Sequence, residues 1–422
     1  MKKAFYGWWV VAACFLTFGI STGVPYYNIA FFFDYFRDDH SWPISFVTMG
    51  PPIAVILTIW AGPFIVPKVS PRLLIIVGTG MTFCAFQWFS RLSGSQWEYY
   101  AAWCVYMVGY FLAGPIPHQI IISNWFKEKR GTAMGITYVG VAVIGSIGNK
   151  LGPWMAARMP YTDALQYMGF VLLLAWPIAL FMIKDKPEDV GQFPDGKDHP
   201  PVEVPATVAA KTASPAGART FADLMSHSSF WLLLVGSAAS IGSISAVNFH
   251  MKFVFESQGF TDQAARNAIW SEASFWVLWS SIAGRLLAGY LADKLPRKWV
   301  MLVTYLVVAV AIPSLFLVRP EQSGFVYLFA LVFGFAMGAD YMLIPLMAAD
   351  QFGLASLPKA MSAILPTDTI AQFWWPNLIA RLRDALGGDY YTAMLAVFGT
   401  AFLGAVAIGL LPRHRTRDAG GS

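Results

Sequence analysis

The chain has 422 residues, of which 57% are hydrophobic and only 13% are charged, and its mean hydropathy is +0.54. A soluble globular domain carries about 25% charged residues, so the composition excludes an ordinary soluble protein and indicates an integral membrane protein. Lys and Arg in cytoplasmic loops account for the net charge of +5, which gives no reason to expect a nucleic-acid partner.

Twelve apolar runs follow one another along the chain, and each is long enough to cross a bilayer as a helix. The runs are continuous rather than alternating, which favours helices over a β-barrel. The sequence therefore predicts an all-α membrane protein with twelve transmembrane helices. The runs cover about residues 7–36, 44–66, 72–91, 97–123, 131–158, 163–183, 228–257, 266–291, 298–318, 323–348, 357–383 and 389–412.

Residues 184–226 separate the sixth run from the seventh, and they are polar, rich in proline and without helical periodicity. This composition is typical of a cytoplasmic linker. We therefore predict an N-terminal six-helix bundle over residues 1–183, a C-terminal six-helix bundle over 227–412 and a tail over 413–422.

Lys and Arg are more numerous on the side of the predicted helices that carries both termini and the linker. The opposite side carries a smaller set, which includes Arg37, Lys252 and Arg266. Because Lys and Arg collect in cytoplasmic loops, both termini are predicted to be cytoplasmic. We expect a multi-pass protein of the cell's inner (plasma) membrane.

The two halves are similar at matching places, since the loop after the eighth run (289–302) echoes the loop after the second (63–76). Repeats of this kind are typical of secondary transporters. The chain has no Walker loop, no His/Cys metal spacing and no nucleophile elbow. It is therefore predicted to be neither an ATP-driven pump nor an enzyme, and no cofactor or metal is expected.

The first run contains Pro25, Tyr26, Tyr27 and Asn28 in succession. A proline-broken polar segment near the middle of the membrane is a pointer to a transporter's binding site. We therefore count Tyr26, Tyr27 and Asn28 as candidate substrate-binding residues. Packing in an aromatic core is the alternative for either tyrosine.

Three further polar residues of the apolar runs are candidates. His118 follows Pro115 and Pro117, which should kink the fourth run and free backbone carbonyls. It could bind substrate, relay protons or cap the broken helix. Asn248 and His250 in the seventh run could bind substrate or form a gate, and bonding between helices is the alternative.

Arg285 lies inside the eighth run, between the small residues Gly284 and Ala288. An arginine within a membrane helix costs at least about 2.5–3.5 kcal/mol, so it usually faces a cavity or a counter-charge. Its planar guanidinium can donate two parallel hydrogen bonds to a carboxylate, so we predict that Arg285 binds an anion. In the alternative, the long side chain reaches the lipid head groups.

Two acids lie near the middle of later runs: Asp340, followed by Tyr341, in the tenth, and Asp368 in the eleventh. Either acid could carry a proton, because burial and nearby charges control when a carboxyl ionises. The alternative is a static ion pair with Arg285. Tyr341 is counted among the candidate substrate-binding residues.

The sequence GYLADKLPRK at 289–298 resembles the Gly-x-Leu-Ala-Asp-Arg-x-Gly-Arg-Arg loop of the major facilitator superfamily. The resemblance implies two six-helix bundles and a conformational latch at Asp293, Lys294 and Arg297. The copy in the first half departs from the pattern, because Pro67 replaces the acid.

Several segments resemble the branch of that superfamily that contains monocarboxylate transporters and the oxalate/formate antiporter. This resemblance implies that Arg285 binds the substrate's carboxylate. Animal monocarboxylate transporters have an Asp four residues earlier, where this chain has Ser281, a further candidate substrate-binding residue. The oxalate antiporter has a Lys in its eleventh helix, where this chain has Asp368, which disfavours a dicarboxylate. The segments are YGWWVV, SWPIS, NWFKEKRGTAMGI, NFHMKFVFESQGF and IAGRLLAGYLAD.

We therefore predict a secondary active transporter of small organic anions, chiefly monocarboxylates, that works by alternating access with proton symport. The alternatives are an organic-anion exchanger of the oxalate/formate type and a non-transporting sensor of organic anions. The expected partners are the monocarboxylate, protons and the lipid bilayer. A monomer suffices for this function.

Overall fold

A computed structural model describes residues 5–58, 65, 68–197, 220–353 and 356–412. Over these residues the chain is helical and has no β-strand, so the predicted all-α membrane fold is confirmed. The orientation of the termini stays a prediction. The main helices of the described residues are α1 (Gly7–His40), α2 (Ile44–Thr58), α3 (Pro71–Phe89), α4 (Gln96–Trp125), α5 (Arg130–Ala156), α6 (Tyr161–Phe181), α7 (Ser228–Ser257), α8 (Gln263–Lys294), α9 (Arg297–Leu317), α10 (Phe325–Phe352), α11 (Leu357–Ala385) and α12 (Tyr390–Leu410).

Ten of these helices are long and apolar enough to cross a membrane. The other two are α2 and α11. α2 is shorter, and residues 59–64 and 66 of the second predicted run lie outside the described residues. α11 has 29 residues, which is long enough to span, but its sequence is more polar.

α1 is not a regular helix along its whole length. It contains a π-helical turn over Gly19–Gly23 and a tighter 3-10 turn over Ile29–Phe32. Pro25 has no N–H to donate to the carbonyl of Ser21, and the wider turn precedes it. In the same turn, the Ser21 hydroxyl donates to the carbonyl of Ala113 on α4 at 2.8 Å, which links the two helices. The proline therefore marks a local change of backbone geometry, as the sequence predicts.

α4 is interrupted at Gly114, whose ψ angle of −146° is not helical. Regular helix ends at Ala113 and begins again at Pro115. Pro115 and Pro117 can start a helix because the first N–H groups of a helix have no partner within it. The kink predicted from these prolines is confirmed.

The chain separates into two compact units, Met1–Glu203 with Asn248–Trp279 and Val204–Val247 with Ser280–Ser422. α7 and α8 each contribute one part to each unit. The predicted division into two six-helix bundles around a linker stays a prediction. A buried core in the first unit contains side chains from α1, α3, α4, α5 and α6, among them Val10, Ile75, Ile121, Ala133 and Ala179. A buried core in the second unit contains side chains from α7 to α12, among them Leu233, Ala288, Met301, Leu343, Ile364 and Ala405.

The first part of the predicted linker, residues 184–197, has defined structure. The Asp195 carboxylate accepts hydrogen bonds from the backbone N–H groups of Lys127 at 2.9 Å and Glu128 at 3.0 Å, just before α5. Burial acts to raise the pKa of Asp195, but these hydrogen bonds outweigh it and hold the pKa below its usual value. This segment therefore belongs to the first unit and packs beside the start of α5. Residues 198–219 of the predicted linker lie outside the described residues.

α8 and α10 touch each other through their backbones. A Cβ atom at Gly284 would overlap with the carbonyl oxygen of Phe335, and one at Gly338 would overlap with the carbonyl oxygen of Ser281. Because the obstructing atoms belong to the main chain, no side-chain rotation can remove the overlap. Small residues that allow such close approach are typical of contacts between membrane helices.

Gly338→Ala is expected to destabilise the protein by about 1–3 kcal/mol, because the added methyl group must push α8 and α10 apart. The measurement is the midpoint of thermal unfolding of the purified protein in detergent. Gly399→Ala on α12 is the matched control, since a Cβ there meets no atom within 4 Å. Alanine favours the helix over glycine by about 1 kcal/mol, so the control should be unchanged or more stable. Equal midpoints for the two variants would contradict the close contact.

Candidate functional site

Three predicted substrate-binding residues, Tyr26, Tyr27 and Asn248, line one pocket in the first unit. The pocket is small and partly open to solvent. The ring centroid of Tyr26 lies 4.9 Å from that of Tyr27 and 6.3 Å from that of Phe249, which also lines the pocket. Part of the wall is therefore aromatic.

Asn149 of α5 and Trp270 of α8 line the same pocket. Both side chains are buried, since Asn149 is 0% exposed and Trp270 is 1% exposed. Neither residue stands out in the sequence, because Asn149 lies within a glycine-rich stretch and Trp270 is one of 17 tryptophans. Their shared position depends on how α5 and α8 pack, which no local motif predicts.

Asn28 is buried but is not among the residues that line the pocket. Its amide nitrogen donates to the carbonyl of Val24 at 2.9 Å and to that of Gly145 on α5 at 3.3 Å. These contacts join α1 to α5. Asn28 therefore contributes to the packing beside the pocket.

His118 is buried at the break in α4 and also lies apart from the pocket. Its Nδ1 donates to the carbonyl of Gly114 at 2.7 Å, because a carbonyl can only accept. Its Nε2 lies 3.0 Å from the hydroxyl of Thr17 on α1. These contacts agree with the alternative in which His118 caps the broken helix.

His250 is buried in α7, and its ring centroid lies 6.3 Å from that of Phe253. It does not line the pocket that Asn248 lines. The two residues of the NFH motif therefore have different surroundings, and the predicted gate at His250 stays a prediction.

A buried ion cluster joins α1 to parts of α7 and α8 that belong to the same unit. Asp34 is 0% exposed, and its carboxylate lies 2.8 Å from Lys252 Nζ and 3.2 Å from Arg266 Nε. Lys252 Nζ also donates to the carbonyl of Phe31 at 2.8 Å and lies 3.8 Å from the centre of the Phe31 ring. The positive charges are thus held by a carboxylate, a carbonyl and an aromatic face.

The cluster continues to Glu256, which receives two hydrogen bonds from Arg37 at 2.7 and 2.9 Å. Arg266 Nη1 lies 3.4 Å from the same carboxylate. From the sequence, Arg37, Lys252 and Arg266 were assigned only to the smaller group of basic residues on the side opposite the termini, and no ion cluster was predicted. The available signal was Asp34, an acid inside the apolar stretch FFFDYF.

Arg285 lies on the part of α8 that belongs to the second unit, and its side chain is partly buried. Ser281, one helical turn earlier, is 0% exposed. The close backbone contact between α8 and α10 is adjacent to both residues. Arg285 is therefore held on a tightly packed stretch of helix.

Asp340 and Asp368 are both almost completely buried in the second unit. Ser240 donates to Asp340 at 2.8 Å, and Ser237 donates to Asp368 at 2.7 Å. The two serines are three residues apart on α7, so they share one face of that helix. Among the described residues, the ion pairs of the structure include neither acid, so the alternative of a static pair with Arg285 is not what the structure contains.

Tyr341 is 41% exposed, whereas its neighbour Asp340 is 0% exposed. Successive residues on a helix point about 100° apart, which accounts for the difference. The structure therefore does not bring the Tyr341 side chain to the buried acid. Its role in substrate binding stays a prediction.

The predicted latch has one ion pair within the described part of the chain. Arg297 Nη1, at the start of α9, lies 2.6 Å from the carboxylate of Asp350 near the end of α10. Asp293 is exposed, and Lys294 Nζ lies 6.0 Å from the centre of the Tyr290 ring. Asp350 was not among the predicted latch residues, because it lies 53 residues after Arg297 and outside the motif.

Residues 115–376 match the family model of the Major Facilitator Superfamily. Two fungal proteins are each 22% identical to this chain. The match to the MFS transporter asaE of Aspergillus flavus covers 68% of this chain and 60% of that protein. The match to an MFS-type transporter of Gibberella moniliformis covers 95% of this chain and 88% of that protein. A solved bacterial homologue of the human lysosomal transporter Spinster aligns with a TM-score of 0.66 at 14% identity, over 97% of this chain and 95% of that chain.

Proposed function

The chain belongs to the Major Facilitator Superfamily, and on that premise we propose that it carries small organic anions, chiefly monocarboxylates, together with protons. It is a multi-pass membrane transporter and not an enzyme. We place it in the cell's inner (plasma) membrane, where an inward proton gradient could drive uptake by alternating access.

Recognition of the anion is assigned to Arg285. A carboxylate receives two parallel hydrogen bonds from a guanidinium, and such charge-assisted bonds are about twice as strong as neutral ones. Arg285 directly follows Gly284, where the α10 backbone packs against α8, so a closely packed stretch of α8 holds its backbone in position. The cost of placing an arginine within a membrane helix supports a functional reason for its presence.

Proton coupling is assigned to Asp340 and Asp368, and their burial without an ion pair is the observation that carries this proposal. Burying a carboxylate without a counter-charge costs far more than burying its neutral form. Serine hydroxyls donate to both acids and Tyr305 also interacts with Asp340, but such neutral donors do not cancel a full charge. Such acids take up a proton when they are enclosed and release it when water reaches them.

Asp340→Asn and Asp368→Asn are each expected to change pH-driven uptake, and at least one should abolish it while exchange of labelled for unlabelled substrate continues. The neutral amide keeps the shape of the acid but cannot release a proton. The measurement is accumulation of labelled substrate in proteoliposomes with and without an inward proton gradient. Asp163→Asn, at an exposed site in the first turn of α6, is the matched control. Uphill uptake that persists in both variants would rule out either acid as the single proton carrier.

The cargo itself is identified by counterflow. Proteoliposomes loaded with unlabelled lactate, pyruvate, acetate, formate or oxalate are presented with the labelled compound. Monocarboxylates are expected to exchange, whereas oxalate should be disfavoured because Asp368 in its ionised form repels a second carboxylate. Rapid oxalate exchange at a rate independent of the proton gradient would favour the alternative of an organic-anion exchanger of the oxalate/formate type.

A further inference from the structure

The pocket in the first unit contains polar groups that have no partner. Asn149 is 0% exposed, and neither its amide nitrogen nor its amide oxygen has a hydrogen-bond partner. The indole N–H of Trp270, which is 1% exposed, also has none. Buried polar groups are usually satisfied. Other described residues also have unpartnered buried atoms, but Asn149 and Trp270 are distinguished by lining the same pocket.

Packing between α5 and α8 does not supply the missing bonds, although the helices are in hydrogen-bonding contact there. The hydroxyl of Ser271 donates to the backbone carbonyl of Asn149 at 2.9 Å. Lys150, next in the chain, forms an ion pair with Glu272. The polar groups around Asn149 are therefore matched with one another, whereas the amide side chain is kept apart from them.

The pocket has no formal charge. Its eleven lining residues include no Lys, Arg, His, Asp or Glu. Lys252, which belongs to the ion cluster of the same unit, directs its ammonium group to Asp34. A charged group would lose its hydration in this pocket without finding a counter-charge, so the lining selects against ions.

We propose that this pocket binds an uncharged planar group with a hydrogen-bond donor beside an acceptor, as in a primary carboxamide or a protonated carboxyl. The Asn149 amide has both a donor and an acceptor, so it can form two parallel hydrogen bonds with such a group. The Trp270 N–H donates to the remaining lone pair of the ligand's carbonyl oxygen. Tyr26 and Phe249 pack against the apolar part of the ligand.

A ligand of this kind needs no negative charge, so the pocket is independent of the anion recognition proposed for Arg285. The two ligand types differ in their response to pH. A carboxamide stays neutral at every accessible pH, whereas a carboxylic acid is neutral only in acid. The same pocket therefore distinguishes an acid carried in its protonated form from an ion.

The test measures the thermal unfolding midpoint of the purified full chain in detergent with propionamide as the probe. Binding to the folded state raises the midpoint as the ligand concentration rises. N,N-dimethylpropionamide, which lacks the N–H donor, should bind about 2- to 13-fold more weakly, the loss expected for one neutral hydrogen bond. Propionate should raise the midpoint at acidic pH, compared with a ligand-free sample at the same pH, and Trp270→Phe should weaken this effect. A rise at alkaline pH would report the propionate ion bound elsewhere, as proposed for Arg285, and should be equal in the wild type and in Trp270→Phe. If only propionamide acts, the natural ligand is an amide.

Variants locate the site. Asn149→Leu should remove the effect of propionamide, and Trp270→Phe should weaken its binding by about 2- to 13-fold. Trp103→Phe is the matched control, because the indole N–H of Trp103 is also buried and unpartnered but Trp103 does not line the pocket. Should Asn149→Leu fail to fold, the comparison of the two tryptophan variants decides. The proposal is overturned if propionamide has no effect on the wild type, or if Trp270→Phe and Trp103→Phe bind it equally well.

Discussion

Replacing Arg285 with lysine is expected to leave a folded, membrane-inserted protein whose apparent affinity for its monocarboxylate falls about 10- to 150-fold. This range corresponds to the roughly 1.5–3 kcal/mol lost with a hydrogen bond to a charged group. Lysine keeps the positive charge, but it loses the planar pair of donors that a carboxylate requires. Arg285→Ala removes the charge as well and is expected to abolish transport. The measurement is the concentration dependence of substrate uptake into proteoliposomes.

The lysine variant separates the two interpretations of Arg285. If the side chain only reaches the head groups, an ammonium serves equally well and uptake is unchanged. Arg319→Lys, at an exposed site just after α9, is the matched control for the same chemical change. Normal uptake by a well-expressed Arg285→Lys protein would remove the basis for carboxylate binding at this position.

Asp34→Asn is expected to destabilise the protein by about 3–5 kcal/mol. The change leaves Lys252 and Arg266, which are 2% and 3% exposed, without the carboxylate that holds both. Breaking a buried ion pair is costly, because the remaining charge stays buried without compensation. The measurement is the loss of thermal or denaturant stability of the purified protein in detergent.

Asp38→Asn provides the comparison on the same helix. The Asp38 side chain is 53% exposed and lies 2.7 Å from Arg37, so this pair is worth about 0–1 kcal/mol. A large difference between the Asp34 and Asp38 variants is therefore expected. Similar stability of the two would mean that Glu256 alone can hold the basic residues of the cluster.

The helices were predictable because each apolar run is continuous and long enough to span a bilayer. The irregular turns near Pro25 and the break before Pro115 were predictable as well, since proline lacks the N–H that a regular helix uses. The structured segment 184–197 was not, because its bonds to the backbone before α5 leave no periodic pattern in its own sequence.

The candidate site was predictable only in part. Tyr26, Tyr27 and Asn248 could be selected because polar residues are rare in apolar runs, and these three do line one pocket. Asn149 could not be selected, because its significance lies in the hydrogen bonds that it does not make. The ion cluster was also hidden, since Asp34 and Lys252 are 218 residues apart in the sequence.

The backbone contact between α8 and α10 has a mechanical consequence. At Gly284 and Gly338 the two helices are too close to slide past each other. Arg285 directly follows Gly284 on α8, and Asp340 lies two residues after Gly338 on α10. We therefore expect a displacement of either helix to carry the other, so that the guanidinium of Arg285 and the carboxyl of Asp340 move together. If Arg285 binds the cargo and Asp340 carries the proton, as we propose, their coupling needs only this shared motion and no relay of side chains between them.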